Sequence, residues 1–233
     1  MALIAIVDVY DENDKRPFLD RTYFVNNYFK RVFENGAFAY GVVFVNKIFD
    51  ENLLLNFDGF IIPGGNKVEL YHILTIHFAY IHNKPLLGVC MGMQALGIYS
   101  LIVQELMDNN LEVNYENISK HFHYETFYLE YVYGHNFVEN IYYDNIDLTL
   151  HDVYLVAGSN LFKIYNTSLI KVPSMHKFCL KNVGFGFKIS ALSYDGYIEG
   201  IEKEKLLGVQ FHPELLKNNF IFKWLIKICE NKN

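Results

Sequence analysis

Pro85-Leu86-Leu87-Gly88-Val89-Cys90-Met91-Gly92-Met93-Gln94 is the stretch that decides how this 233-residue chain is read. Apolar residues run up to Cys90, and a helix-forming segment, Met93–Ser100, follows it. The pattern predicts a buried strand that turns abruptly into a helix at Cys90, a nucleophile elbow. Such a turn is tight, so the positions two before and two after its apex must lack bulk, and Gly88 and Gly92 occupy them. The corner presents the sulfur at the carboxyl end of the strand and aims the first amides of the helix at it. The positive helix end and any neighbouring imidazole both favour the thiolate. The competing reading is an inert buried cysteine, since free Cys is among the most buried residue types. Glycine on both sides, after an apolar strand and before a helix, favours the elbow.

Length and composition set the frame around that corner. At 233 residues, with 52% apolar and 20% charged side chains, the chain predicts one globular α/β domain over residues 1–233. No apolar run approaches the roughly 20 residues that span a bilayer, which predicts a soluble protein without a membrane partner. Met1–Val9 lacks a basic start and is interrupted by Asp8, so it reads as a first strand and not as a signal peptide. Three cysteines at wide spacings, Cys90, Cys179 and Cys229, make neither a disulfide framework nor a metal cluster, and they point to a reducing cytoplasm. A net charge of −6 without basic clusters argues against nucleic acid as a partner.

Outward from the elbow, Ala2–Val9, Gly41–Val45 and Phe57–Ile62 read as buried strands. A loop over Asp11–Asp20 and a helix over Arg21–Asn35 separate the first two. The third strand runs into Pro63-Gly64-Gly65-Asn66, where paired glycines allow close backbone approach and leave amides free to face an anion. A plain surface turn is the alternative there. A helix over Val68–Ile81 follows, with His72, His77 and His82 spaced too widely to stack as ligands, so they read as surface or partly packed. The elbow helix runs to about Leu106. Leu111–Leu150 is less legible, with exposed strands suggested in Glu125–Val132 and with His121 and His123 lacking an obvious metal partner. His151–Val156, Lys188–Ser193, Tyr197–Ile201 and Leu206–Gln210 are strands, with a hairpin at Asp195-Gly196, a short helix starting near Ser159, and a closing helix over Leu215–Cys229.

Thiol chemistry needs a base and a group that fixes the base's tautomer. Gly208-Val209-Gln210-Phe211-His212-Pro213-Glu214 offers both. A strand carries the chain to His212, Pro213 ends the ladder, and Glu214 lies on the same side as His212 if the backbone stays extended.

On these segments the chain resembles the class I glutamine amidotransferases and their γ-glutamyl hydrolase relatives. Gly88–Gln94 is similar to their nucleophile motif, Gly208–Glu214 to their His-Pro-Glu motif, and Ile62-Pro63-Gly64-Gly65 to their oxyanion strand. Three further segments resemble the γ-glutamyl-γ-aminobutyrate hydrolase branch: His151-Asp152-Val153 with Gly158-Ser159, Val172–His176, and Ala191–Glu199. The resemblance implies a three-layer, flavodoxin-like α/β fold, with a mostly parallel central sheet flanked by helices and a smaller antiparallel region. It implies Cys90 as nucleophile, His212 as general base and acid, Glu214 as orienter, and an oxyanion hole from the amides of Met91 and of Gly64-Gly65. It also implies that Gln94, Ser174 and His176 meet a small γ-glutamyl substrate. No metal or organic cofactor is implied, and a homodimer is compatible with the family.

Departures bear on substrate preference. The residue after the nucleophile, commonly Arg in the hydrolase branch, is Met91 here, as in several ammonia-supplying amidotransferases. The branch's Asn before Ser and its His-Gln are replaced by Pro173 and Lys177-Phe178, and its Gly-Gly after the elbow helix by Tyr99-Ser100-Leu101. Three readings follow: a free-standing γ-glutamyl amide hydrolase, a glutaminase subunit feeding ammonia to a synthase partner, and a binding protein that keeps the fold without turnover. An intact Cys-His-Glu set disfavours the third.

Overall fold

Strands β1 (Leu3–Val7), β2 (Val9–Asp11), β3 (Arg21–Tyr23), β4 (Phe38–Val42), β5 (Gly59–Ile62) and β6 (Leu86–Val89) form in the first part of the chain. β7 (Leu129–Tyr131), β8 (Leu150–Leu155), β9 (Leu169–Pro173), β10 (Phe178–Leu180), β11 (Lys188–Ser193), β12 (Ile198–Lys203) and β13 (Leu206–Val209) follow. The computed structural model describes residues 1–12, 19–123, 127–136, 146–218 and 220–231. Nine strands join in one sheet in the order β4-β1-β5-β6-β13-β12-β11-β8-β9. From β4 to β13 every pairing is parallel, and from β13 to β9 every pairing is antiparallel. The parallel core and its antiparallel wing meet at β13, which places the two halves of the chain's chemistry side by side.

The central strands are apolar along their whole length because both faces are covered. In β5, β6 and β13 every residue is buried, the signature of a strand between two helical layers. Alternate residues divide between two cores. Ala5, Val7, Phe60 and Ile62 pack with helices α2 (Leu70–Ile81), α3 (Met91–Asp108) and α4 (Tyr115–His121). Ile4, Ile6, Ile61, Leu207 and Val209 face α1 (Asn26–Glu34), α5 (Asn160–Tyr165) and α6 (Phe220–Glu230). The three-layer expectation from the family resemblance therefore holds. None of the described helices is long and apolar enough to cross a membrane.

Several local expectations need correction. The helix expected from Arg21 begins at Asn26, because Arg21–Tyr23 pairs as β3 with β2. The closing helix starts at Phe220, since Pro213–Leu215 first makes a short 3-10 turn. His72 and His77 are buried, and only His82 is exposed. Helix α2 is enclosed on nearly all sides, so a polar ring there must find partners inside. His72 accepts the Glu69 amide at Nδ1 (3.0 Å), which leaves Nε2 to donate to the Asp8 carbonyl (3.1 Å). Burial holds the imidazoles of both His72 and His77 down at about 4. Within the span Glu125–Val132 expected to hold exposed strands, Leu129–Tyr131 forms β7, and residues 125–126 lie outside the described residues.

Candidate active site

Cys90 sits between β6 and α3 with φ 51° and ψ −107°, a backbone conformation that costs a non-glycine residue about 1–3 kcal/mol. Two hydrogen bonds hold it there: its N–H donates to the Val209 carbonyl at 2.8 Å, and its own carbonyl accepts from Gln94 N at 3.1 Å. The flanking glycines are needed for contact as well as for the turn. A Cβ on Gly92 would lie 2.0 Å from the Ile62 carbonyl oxygen, and one on Gly88 would lie 2.5 Å from the Gly92 carbonyl oxygen. The first turn of α3 is thus seated directly on the carboxyl end of β5.

His212 follows β13, the strand beside β6. Its Nδ1 is 2.7 Å from Glu214 Oε1, and the ring stands close enough to Cys90 for the two to interact electrostatically. The expected brace is present, but the backbone between the two is a compact 3-10 turn and not extended. Arg31 of α1 clasps this turn, donating to the carbonyls of Glu214 (3.1 Å) and Leu216 (2.6 Å). Burial alone pushes the His212 imidazole down, yet the Glu214 carboxylate and Cys90 outweigh it and hold the group well above its ordinary value. Gly64 supplies the clearance, for a Cβ there would lie 2.8 Å from His212 Cε1 and 3.5 Å from Cys90 Cβ.

Gly64 and Gly65 part company. The Gly64 N–H donates to the hydroxyl of buried Tyr28 at 3.1 Å, so in this structure it is engaged inward. Gly65 lines a cavity of about 450 Å³ together with Cys90, Gln94, Asn136, His176 and Phe178. A larger cavity, about 560 Å³, lies at the amino-terminal ends of β5, β6 and β13 beside Asp58, Lys84 and Lys205, away from the sulfur.

The family profile described as Peptidase C26 matches residues 2–214. This chain belongs to the peptidase C26 family. The family assignment makes it a glutamine amidotransferase-like hydrolase. A glutamine amidotransferase-like protein of Rickettsia prowazekii is 28% identical over 222 residues, covering 73% of this chain and 76% of that protein. A CTP synthase of Rickettsia bellii is 29% identical over 210 residues, covering 77% of this chain but only 36% of the synthase. The chain therefore spans about a third of the CTP synthase it matches. Among solved structures, the glutaminase domain of the Trypanosoma brucei CTP synthase with bound acivicin superposes with a TM-score of 0.66 at 21% identity. That superposition covers 100% of this chain and 95% of the domain, and it establishes the shared fold.

In this peptidase C26 chain the residues expected at the substrate have unequal positions. Gln94 lines the cavity and its Nε2 donates to the Phe178 carbonyl (2.9 Å) and to Gln210 Oε1 (3.2 Å). His176 also lines it, with its ring nitrogens engaged by the Phe178 carbonyl (3.1 Å) and by Glu199 (3.2 Å). Ser174, also expected at the substrate, is fully buried and donates to the His135 carbonyl at 2.7 Å. Lys177, beside His176, adds a positive side chain to the cavity wall. Two residues went unnoticed in sequence. Gln210 is buried and donates to Cys90 Sγ at 3.5 Å, and Tyr28 bridges the Gly64 loop to the neighbourhood of Glu214. Gln210 stood inside the Gly208–Glu214 motif and could have been singled out, whereas nothing local marks Tyr28.

Proposed function

We propose that this chain is a cysteine hydrolase that cleaves the γ-glutamyl amide bond of a small γ-glutamyl compound through a thioester. Cys90 Sγ attacks the amide carbon as the thiolate, its proton already held by His212, whose imidazolium Glu214 orients and stabilises. The oxyanion that forms is met by the amides of Met91, in the unpaired first turn of α3, and of Gly65. A single well-aimed donor of this kind is worth about 10²–10³ in rate. His212 passes its proton to the departing amine as the C–N bond breaks. Water then attacks the thioester, gives a proton to His212, and the C–S bond breaks to release glutamate and restore the sulfur. Lys177 in the cavity wall suits the glutamate α-carboxylate, and Gln94 suits its polar end.

The observation that carries this reading is the bond of 2.7 Å between His212 and Glu214 on a ring that stands beside Cys90. The test is glutamate release from a panel of γ-glutamyl amides by the purified chain, beside Cys90→Ala. Turnover by wild type and none by the variant supports the mechanism, and equal turnover by both removes it.

A second reading is a glutaminase that supplies ammonia to a separate synthase. It is favoured by Met91 and by the named activity of the CTP synthase relative, of which this chain covers the smaller part. Activity confined to glutamine, and raised only by a partner, would select it.

A further inference from the structure

Behind the cavity wall, four side chains from four separate elements converge. His135 lies in the loop after β7, His151 on β8, His176 after β9 and Glu199 on β12. His135 Nδ1 is 3.2 Å from His176 Nε2, and these two atoms are 3.3 and 3.2 Å from the same oxygen, Glu199 Oε1. The other nitrogen of each ring is spoken for. His135 Nε2 donates to the Asp195 carboxylate at 3.1 Å, and His176 Nδ1 donates to the Phe178 carbonyl at 3.1 Å. Both of those partners accept only, so they draw the ring protons outward. Two imidazole lone pairs and a carboxylate oxygen are left pointing at one another. A group of acceptors at that distance repels unless a cation stands among them.

His151 completes the set. Its side chain is 7% exposed, its Nε2 is 3.7 Å from Glu199 Oε1, and among the described residues neither ring nitrogen has a hydrogen-bond partner. Glu199 is fully buried, and its Oε2 is also without a hydrogen-bond partner. A proton on one of the imidazoles relieves a single pair and leaves His151 orphaned. A metal ion gives these donors a common partner: His135, His151 and Glu199 each offer a ligand atom within 4.8 Å of the other two, and His176 Nε2 lies 3.2 Å from both His135 Nδ1 and Glu199 Oε1. Tetrahedral zinc with bonds near 2.0–2.1 Å places its donor atoms about 3.3 Å apart, against the observed 3.2, 3.3 and 3.7 Å contacts to Glu199 Oε1. The outward bonds of His135 to a carboxylate and of His176 to a carbonyl are those that orient metal-binding imidazoles.

We propose that His135 Nδ1, His151 Nε2, His176 Nε2 and Glu199 Oε1 hold one zinc-class divalent ion that ties the antiparallel wing to the cavity wall. The ion is structural: it pins His176, which lines the cavity, while Cys90 and His212 stay outside its donor set. Three imidazoles and one carboxylate favour zinc, or cobalt as its spectroscopic substitute, over calcium or magnesium.

The test strips the purified chain with a chelator, removes the chelator, and titrates Zn2+ and Co2+ while measuring bound metal by mass spectrometry. The expected result is one ion per chain, the intense visible bands of tetrahedral cobalt, no thiolate-to-cobalt band, and a higher melting temperature with zinc. Cys90→Ser should bind like wild type, whereas His151→Ala and Glu199→Gln should each raise the Kd by at least about tenfold. His151→Gln, closer in volume, stands in if His151→Ala does not fold. No binding by wild type overturns the proposal. So does binding that follows Cys90 instead of His151. Hydrolysis of γ-glutamyl amides is scored separately, so failure of the metal site and failure of the proposed activity are distinct results.

Discussion

A Cβ on residue 64 would stand 2.8 Å from Cε1 of His212, so the imidazole reaches the sulfur only because that position is glycine. Gly64→Ala should therefore displace the ring, and a shift near 1 Å in a reacting group costs about 100-fold in rate. The residue is in a loop, so melting temperature should change little while kcat/KM falls by about that factor. At Gly65 the added Cβ meets the tips of Val9 (2.8 Å) and Met91 (3.0 Å), which can shift, and Gly65→Ala should lose no more than about tenfold. Equal losses at the two positions would remove the steric argument.

Glu214 is one of the groups that keep His212 protonated above its ordinary range. Replacing it by Gln retains a hydrogen-bond acceptor and removes the charge, so the imidazole should lose its proton at lower pH. The alkaline limb of the pH–rate profile should then move to lower pH in Glu214→Gln. An unmoved limb, with only the plateau lowered, would assign that limb to another group.

Tyr28→Phe should act on stability and turnover together. The change leaves the Gly64 N–H without its acceptor, at a cost of about 1–3 kcal/mol, and frees the loop that clears His212. Denaturant unfolding should show the loss, and kcat should fall more than KM rises. A variant as stable and as fast as wild type would show that the bond of 3.1 Å is dispensable.

His72 should make the fold sensitive to acid. Burial lowers its folded pKa from 6.5 to about 4, so the unfolded chain takes up this proton first. The stability tied to the neutral ring is complete above pH 6.5 and drains as pH falls towards 4, by about 3 kcal/mol in all. Asp8 works in the opposite sense, because burial raises its carboxyl to about 6 and the folded state gains from protonating it. The difference between wild type and His72→Gln isolates the histidine. The variant should be less stable near neutrality, and the two curves should converge on acidification. Parallel curves would refute the assignment.

Much of the fold was legible because its signals are local. Continuous apolar strands, the glycines at 88 and 92 and the Asp195-Gly196 hairpin each act over a few residues, and β11 (Lys188–Ser193) matches its expected span. Spacing misled where burial depends on what lies opposite. The histidines of α2 read as surface or partly packed because their five-residue interval says nothing about α3 and α4 closing over them. The expected helix from Arg21 lost its first turn because β2 was available for pairing. The bond of Ser174 to the His135 carbonyl was likewise invisible locally, because it joins residues 39 apart in the chain.

By itself, the sequence determined which chemistry the chain carries: a thiol on a tight corner, and an imidazole with an acid two residues on, both at the ends of buried strands. Only the tertiary structure decided how those groups meet, and which neighbours serve them. The pairing of β6 with β13 sets Cys90 beside His212 across 122 residues of chain, the 3-10 turn folds Glu214 back onto the ring, and Tyr28 takes the Gly64 amide out of the cavity. The reason is physical: residue type and spacing fix local conformation, but the partner of a buried polar group is fixed by packing between segments remote in sequence. The convergence of His135, His151, His176 and Glu199 is the plainest case, since no local pattern links four residues on four elements.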